Sequence, residues 1–173
     1  MQKIGISYQS GALFSSMTLA ENIALPLQQY TDLNPPQIRE IVSLKLSLVG
    51  LAGFDEYYPS EISGGMQKRV GLARAIALQP EMILYDEPTA ELDPVTSDEL
   101  ARVIMELKRE VNLTTIIVSH DLNFALYLSD RVAMMHDGQV VAIGTPEEIK
   151  KSQNPLVRKF IYTTTKGIQG ERD

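Results

Sequence analysis

The chain has 173 residues, a formal charge of -6, 44% hydrophobic residues and no cysteine. That length and apolar share suit one domain with a sizeable core, or one domain with an inserted subdomain. The acidic balance gives no electrostatic basis for a nucleic-acid partner, and the lack of cysteine excludes a disulfide framework and a thiolate metal centre.

No run approaches the roughly 18 apolar residues that signal a membrane-crossing helix, and Met1-Gln2-Lys3 leads into Ile4-Gly5-Ile6-Ser7-Tyr8, not into a secretory segment. The default expectation is a cytoplasmic protein that serves a membrane, if at all, through a partner. Ile4 to Tyr8 reads as a strand handing over to Gln9-Ser10-Gly11-Ala12. Thr18 with Glu21 is a capping-box pair, and the helix it opens is predicted to stop near Leu25 because Pro26 tolerates little helix beyond it. Asn34-Pro35-Pro36-Gln37 repeats the capping logic, and apolar positions from Ile38 to Val49 recur at helical spacing up to Gly50. Ala52 to Glu61 reads as loop. Ser63 then caps a helix expected to reach about Leu78, ahead of Pro80.

Beyond Pro80 the pattern changes to strands alternating with helices, the sign of a parallel sheet with crossover connections. Met82 to Asp86 and Thr114 to Ser119 are short apolar runs of the type buried on both faces, separated by a helix over about Pro94 to Glu110. A short helix through Phe124 and Leu128 follows. Arg131 to His136, Asp137-Gly138 and Gln139 to Ile143 predict a hairpin. Thr145-Pro146-Glu147-Glu148 opens a brief helix, and a last helix is expected around Leu156 to Tyr162, with a frayed end from Thr163 to Asp173. The division predicted is a strand and loop over 1–9, a mainly helical region over 10–79, an α/β core over 80–154 and a tail over 155–173.

The chemistry concentrates between Ser60 and Asp93. Ser63-Gly64-Gly65 is a helix start whose backbone N–H groups can face an anion without side chains in the way. Asp86-Glu87-Pro88 places two adjacent carboxylates at the carboxyl end of a strand, where open α/β sheets bind ligands. Each feature has a plainer reading. Ser63 and Asp93 can be simple helix caps, Asp86-Glu87-Pro88 a solvated turn, His120 a structural histidine, and Lys68 with Arg69 a solvated helix face.

Taken in order, these stretches resemble the ATPase subunit of ABC transporters, a likeness that covers nearly the whole chain. Ile62-Ser63-Gly64-Gly65-Met66-Gln67 looks like the family signature, Met82 to Glu87 like Walker B, Ala90-Glu91-Leu92-Asp93 like the D-loop, Gln9 like the Q-loop glutamine and His120 like the switch histidine. The resemblance implies a P-loop NTPase-like α/β core with a parallel sheet and a helical subdomain, acting on ATP with Mg2+. It implies that Asp86 holds the hydration shell of Mg2+, with Gln9 sensing metal or water. Glu87 would orient or deprotonate the attacking water, on the opposite side of the strand from Asp86, and His120 would contact the γ-phosphate. Ser63, Gly64, Gly65 and Met66, with Asp93, would meet the nucleotide bound by the second subunit of a head-to-tail dimer.

Within the family the nearest likeness is to the Mce or Mla type, which energise lipid movement between bacterial envelope membranes. It rests on Gln9-Ser10-Gly11-Ala12-Leu13-Phe14, on Gly64-Gly65-Met66 followed by Lys68-Arg69-Val70-Gly71-Leu72-Ala73-Arg74-Ala75, and on Leu92-Asp93-Pro94-Val95-Thr96. It implies a transmembrane permease docked on the helical region, a second ATPase subunit, a lipid-binding Mce-type component, and a peripheral position on the inner face of the cytoplasmic membrane. Met66 replaces the usual signature glutamine, and Ile62 the usual leucine. No G-x-x-x-x-G-K-[ST] stretch and no adenine-stacking aromatic match the family pattern, both of which lie ahead of the Q-loop in relatives. The expectation is therefore a chain matching the carboxyl-terminal two-thirds of such a subunit, with an unpaired sheet edge, marginal stability and negligible hydrolysis on its own.

Overall fold

A computed structural model describes residues 3–111 and 113–166. The chain divides into two compact units, residues 1–119 and 120–173.

In the first unit, β1 (Ile4–Ser7), β2 (Met82–Asp86) and β3 (Thr114–Val118) form a parallel sheet in the order β1-β2-β3. Ile6 is in register with Leu84, which is in register with Ile116. The first connection carries α1 (Leu19–Tyr30), α2 (Pro35–Leu48) and α3 (Gly64–Ala75), and the second carries α4 (Pro94–Val111). Ser7 of β1 and Tyr85 of β2 share a small cavity with Leu72 of α3 and Leu100 and Ile104 of α4, so both helices cover one face of the sheet. That face is dry, with Ile83 and Tyr85 buried. The opposite face is open: Ile4, Ile6, Ile116 and Val118 are 42 to 59% exposed. Of the burial expected on both faces, the first unit shows it on the one that α3 and α4 cover, while α1 only borders the other through Leu25 and Pro26 beside Ile4 and Ile6.

The caps read from the sequence set the helix starts. Thr18 Oγ1 accepts from the Glu21 N–H while Glu21 returns a bond to the Thr18 N–H, and Asn34 and Gln37 do the same for α2. Such reciprocal caps satisfy donors that a helix start leaves orphaned. Pro26 does not end α1. The helix continues to Tyr30 because Leu19, Ile23, Ala24 and Leu27 form one buried stripe, and this packing outweighs the single backbone bond that proline removes. In the other direction, α3 stops at Ala75 and not near Leu78, its end closed by bonds from Ile76 N–H to the Leu72 carbonyl and from Ala77 N–H to that of Arg74.

The second unit holds α5 (Leu122–Leu128), the antiparallel pair β4 (Val132–His136) and β5 (Gln139–Gly144), α6 (Pro146–Lys150) and α7 (Pro155–Lys166). Asp137 and Gly138 turn the hairpin with φ of 48° and 75°, the left-handed pair that a two-residue turn matching strand twist requires. The last helix runs on to Lys166, past the predicted fraying at Thr163. The rest of that predicted frayed end, 167–173, lies outside the described residues.

Candidate functional site

Parallel pairing carries the ends of β1 and β2 to the same edge of the sheet. Ser7 is in register with Tyr85, so β1 ends two residues before Gln9 beside the point where β2 ends at Asp86, followed by Glu87. Asp86 is exposed, the last residue of β2, and Glu87 is half-buried. The strand rule that puts neighbouring side chains on opposite faces does not extend to Glu87. Its φ is +46°, in the left-handed region, while its N–H still donates to the Val118 carbonyl at 2.9 Å. A non-glycine residue held there costs on the order of 1–3 kcal/mol and persists only where its surroundings fix it. Among the described residues no group of three or more His, Asp or Glu side chains gathers to hold a metal ion. A single exposed carboxylate at a strand end suits Mg2+, which keeps several waters and takes few protein ligands.

Ser63, Gly64, Gly65 and Met66 form the amino end of α3. Ser63 Oγ accepts from the Met66 N–H at 3.2 Å, so the capping reading of this serine is realised. The two glycines differ in what they are for. A Cβ on Gly64 would meet nothing within 4 Å, whereas one on Gly65 would lie 2.3 Å from Thr96 Cγ2. Gly65 is therefore demanded by the chain's own packing, and Gly64 is free to face something outside it.

Asp93 caps α4. Its Oδ1 accepts from the N–H groups of Val95 and Thr96 at 3.0 and 3.1 Å, and Thr96 Oγ1 donates to Oδ2 at 2.5 Å. The Thr96 hydroxyl, with the backbone donors, holds the Asp93 carboxyl below the usual carboxylate range. His120 opens the second unit, directly after Ser119.

Several residues that organise this region escape a reading of the sequence. Lys68 and Arg69 are not a solvated face: Lys68 is 8% exposed with its Nζ on the Ala90 carbonyl, and Arg69 pairs with Glu99 at 3.8 Å. Arg74 Nη2 donates to the Gly11 carbonyl at 3.0 Å and its guanidinium stands over the Phe14 ring, 6.0 Å from the centroid. Asn22 is fully buried. Its amide donates to the carbonyls of Phe14, Met17 and Thr18 and accepts from the Phe14 N–H, which fixes the segment following Gln9 on α1. The one available signal was an asparagine on the apolar stripe of α1. Lys68 and Arg74 carry none, since long cations on a helix usually point to water.

Comparison with known proteins places this arrangement. The ABC transporter family model matches residues 1–90. The probable ribonucleotide transport ATP-binding protein mkl of Mycobacterium bovis is 44% identical over 157 residues, which is 91% of this chain and 44% of that protein. The intermembrane phospholipid transport system ATP-binding protein MlaF of Escherichia coli is 39% identical over 160 residues, covering 92% of this chain and 60% of the relative. Its Haemophilus influenzae counterpart is 40% identical over 166 residues, 96% and 63% of the two chains. The chain thus spans between 44 and 63% of the length of these relatives. Among solved structures, an ATP-binding cassette caught as a dimer after hydrolysis with ADP and Pi superposes with a TM-score of 0.73 at 32% identity, over 84% of this chain and 63% of the other. The cbiO1 protein of Clostridium perfringens, part of an ABC transporter complex, gives 0.79 at 28% identity, over 93% and 67%. The fold is that of the ABC ATPases, and the chain belongs to the ABC transporter family.

Proposed function

We propose that this chain works in an ATP-hydrolysing subunit of an ABC transporter that moves lipid between envelope membranes. The observation that supports the reading is the shared sheet edge: β1 and β2 end side by side, Ser7 against Tyr85, two residues ahead of Gln9 and one ahead of Asp86, with Glu87 held in a strained backbone conformation. In that role Asp86, with Gln9 beside it, would hold Mg2+, which supplies positive charge against the phosphates. Glu87 takes the proton of the attacking water, or orients it, as the γ-phosphoryl group leaves ADP, and His120 contacts that group. Ser63, Gly64, Gly65, Met66 and Asp93 act on the nucleotide of a second subunit. The open amino end of α3 at Gly64 supports this, because a Cβ there would meet nothing of this chain within 4 Å, leaving room for a ligand at a helix start.

The permease is the proposed membrane partner. Among the described residues no helix is long and apolar enough to cross a bilayer. The helical region over residues 10–60 is the proposed seat of the permease, and Phe14, Leu25 and Pro26 of that region line an open groove of about 410 Å³ together with Ile6, Tyr8 and Arg74. Lipid cargo is supported by likeness to the MlaF proteins, whose names specify intermembrane phospholipid transport, and an Mce-type component and a peripheral position on the inner membrane face are proposed with it. Reconstitution of the subunit with its permease in vesicles tests the reading. Transfer of fluorescent phospholipid should require MgATP and stop with Glu87→Gln, while ATP-driven uptake of ribonucleotide without lipid transfer would refute it.

A second reading is favoured by one observation, the absence of a G-x-x-x-x-G-K-[ST] stretch within these 173 residues. In it the chain alone binds or dimerises without hydrolysis. Phosphate release from MgATP separates the two, since turnover by the isolated chain would exclude the silent module.

A further inference from the structure

Lys68 stands one turn into α3 from Gly64 and is 8% exposed. Lysine is almost never buried to this degree unless its charge is met. Here Nζ donates to the main-chain carbonyl of Ala90, and the carboxylates of Glu91 and Glu87 both act on it electrostatically. The loop it grips has an unusual backbone. Glu87 and Glu91 both lie in the left-handed region, with φ of 46° and 64°, and two tight turns join them: Ala90 N–H to the Glu87 carbonyl at 3.1 Å and Leu92 N–H to that of Thr89 at 3.2 Å. A segment with two such residues within five positions keeps its shape only when its neighbours over-determine it. Two further contacts tie the same end of α3 to the start of α4, Gly65 against Thr96 and Arg69 with Glu99.

We propose that Lys68 is a positioning residue that sets the conformation of the Glu87–Glu91 loop and so couples the placement of Glu87 to that of the Ser63-Gly64-Gly65 turn on the same helix. The consequence for turnover rests on the ATPase reading; the grip on the loop does not. In a head-to-tail dimer the amino end of α3 meets the nucleotide of one site while Glu87 serves the other. A shift of α3 on engaging a nucleotide is passed through the Lys68–Ala90 bond to the water-activating loop of the neighbouring site. The two sites are then joined by one side chain whose donor is fixed on α3 and whose acceptor lies three residues beyond Glu87.

The test uses the assembled ATPase–permease complex with Lys68→Met, which keeps the apolar stem and removes the ammonium, and Lys68→Gln, which keeps a neutral donor. Amide hydrogen exchange is followed at Glu87, Ala90 and Leu92, together with MgATP turnover. Lys68→Met should speed exchange at these amides by about tenfold or more and leave α1 and α2 protected as before. It should also lower kcat by about tenfold with KM within about twofold. Lys68→Gln should restore most of the protection and part of kcat. Unchanged exchange at 87–92 in Lys68→Met would overturn the proposal, as would a loss of protection spread evenly over α1 and α2, or a change confined to KM. If the unmodified complex hydrolyses no ATP, the ATPase reading fails and the exchange measurement still decides the grip of Lys68 on the loop.

Discussion

Gly64 and Gly65 stand next to each other in the proposed nucleotide-facing turn, and the structure predicts opposite responses to the same substitution. An alanine methyl at Gly65 would lie 2.3 Å from Thr96 Cγ2, against the roughly 3.5–4.0 Å of a relaxed carbon–carbon contact. Relief requires Thr96 to turn, which breaks its 2.5 Å bond to Asp93, or α3 and α4 to part. Overpacking of this kind costs about 1–3 kcal/mol, offset by up to about 1 kcal/mol gained when a glycine leaves a helix. Gly65→Ala should therefore destabilise by about 1–2 kcal/mol, which for a chain of this size lowers Tm by about 2–8 °C. Gly64→Ala meets nothing and should be neutral or stabilising by up to about 1 kcal/mol. Thr96→Ser supplies the control. It deletes the clashing methyl and keeps the hydroxyl on Asp93, while Thr96 Cβ, at 3.8 Å, is already in ordinary contact. Equilibrium urea unfolding of the single and double variants should show Thr96→Ser rescuing Gly65→Ala with a coupling of about 1 kcal/mol or more. Additive effects, or a Gly65→Ala as stable as the parent, would refute the claim that internal packing demands this glycine.

Asn22→Ala should cost about 2–3 kcal/mol in the same urea experiment, because it removes the partner of the Phe14 N–H and of the Met17 carbonyl at a fully buried site, while the Phe14 and Thr18 carbonyls keep bonds from the Met17 and Asn22 N–H groups. Asp93 has a depressed pKa, so its capping contribution is complete above the ordinary carboxylate value of about 3.9 and is lost as pH falls through the lower folded value. Asp93→Asn should flatten stability against pH in that acid window. Burial pushes the Tyr85 hydroxyl well up, so its stabilising effect is full below about pH 10 and is lost as pH rises above it and the unfolded chain ionises. Alkaline absorbance titration should show one of the seven tyrosines ionising only on unfolding, and Tyr85→Phe should remove that late step.

What could be read in advance was local chemistry. Caps at Thr18, Asn34, Ser63 and Thr145 and the Asp137-Gly138 turn depend on residues three or fewer positions apart, and each lies where its pattern placed it. The outcomes at Pro26 and Lys68 were decided by partners far along the chain. Pro26 is carried inside α1 by the burial of Leu27 and its stripe, and Lys68 is drawn inward by a carbonyl 22 residues away. The parallel sheet was legible as alternating strands and helices, but not which face the helices would cover. Asp86 and Glu87 could be named as candidate site residues because open α/β sheets bind ligands at the carboxyl ends of their strands, whereas Gln9 was named only through the family resemblance. The left-handed backbone of Glu87 leaves no mark on a residue type that rarely adopts it.

The same long-range contacts give α3 a part that its sequence alone does not reveal. On one side a Cβ at Gly71 would sit 2.9 Å from both the Cα and the carbonyl oxygen of Gly11, and Arg74 holds that same carbonyl oxygen from the next turn. The segment leaving Gln9 is therefore pressed backbone to backbone against α3. On another side Lys68 and Gly65 fix the helix to the loop after Glu87 and to the start of α4. Because close-packed contacts repack between discrete arrangements, a displacement of the residues after Gln9 is expected to carry through α3 to the Ala90 loop. Gly71→Ala should then disturb both ends at once. It trades a gain of up to about 1 kcal/mol in helix propensity for a clash with backbone that cannot rotate away, for a net loss of about 1–2 kcal/mol. Faster amide exchange at Gly11 and at Ala90 together would mark α3 as the rigid link between them, and a change at Gly11 alone would show that the two loops are held independently.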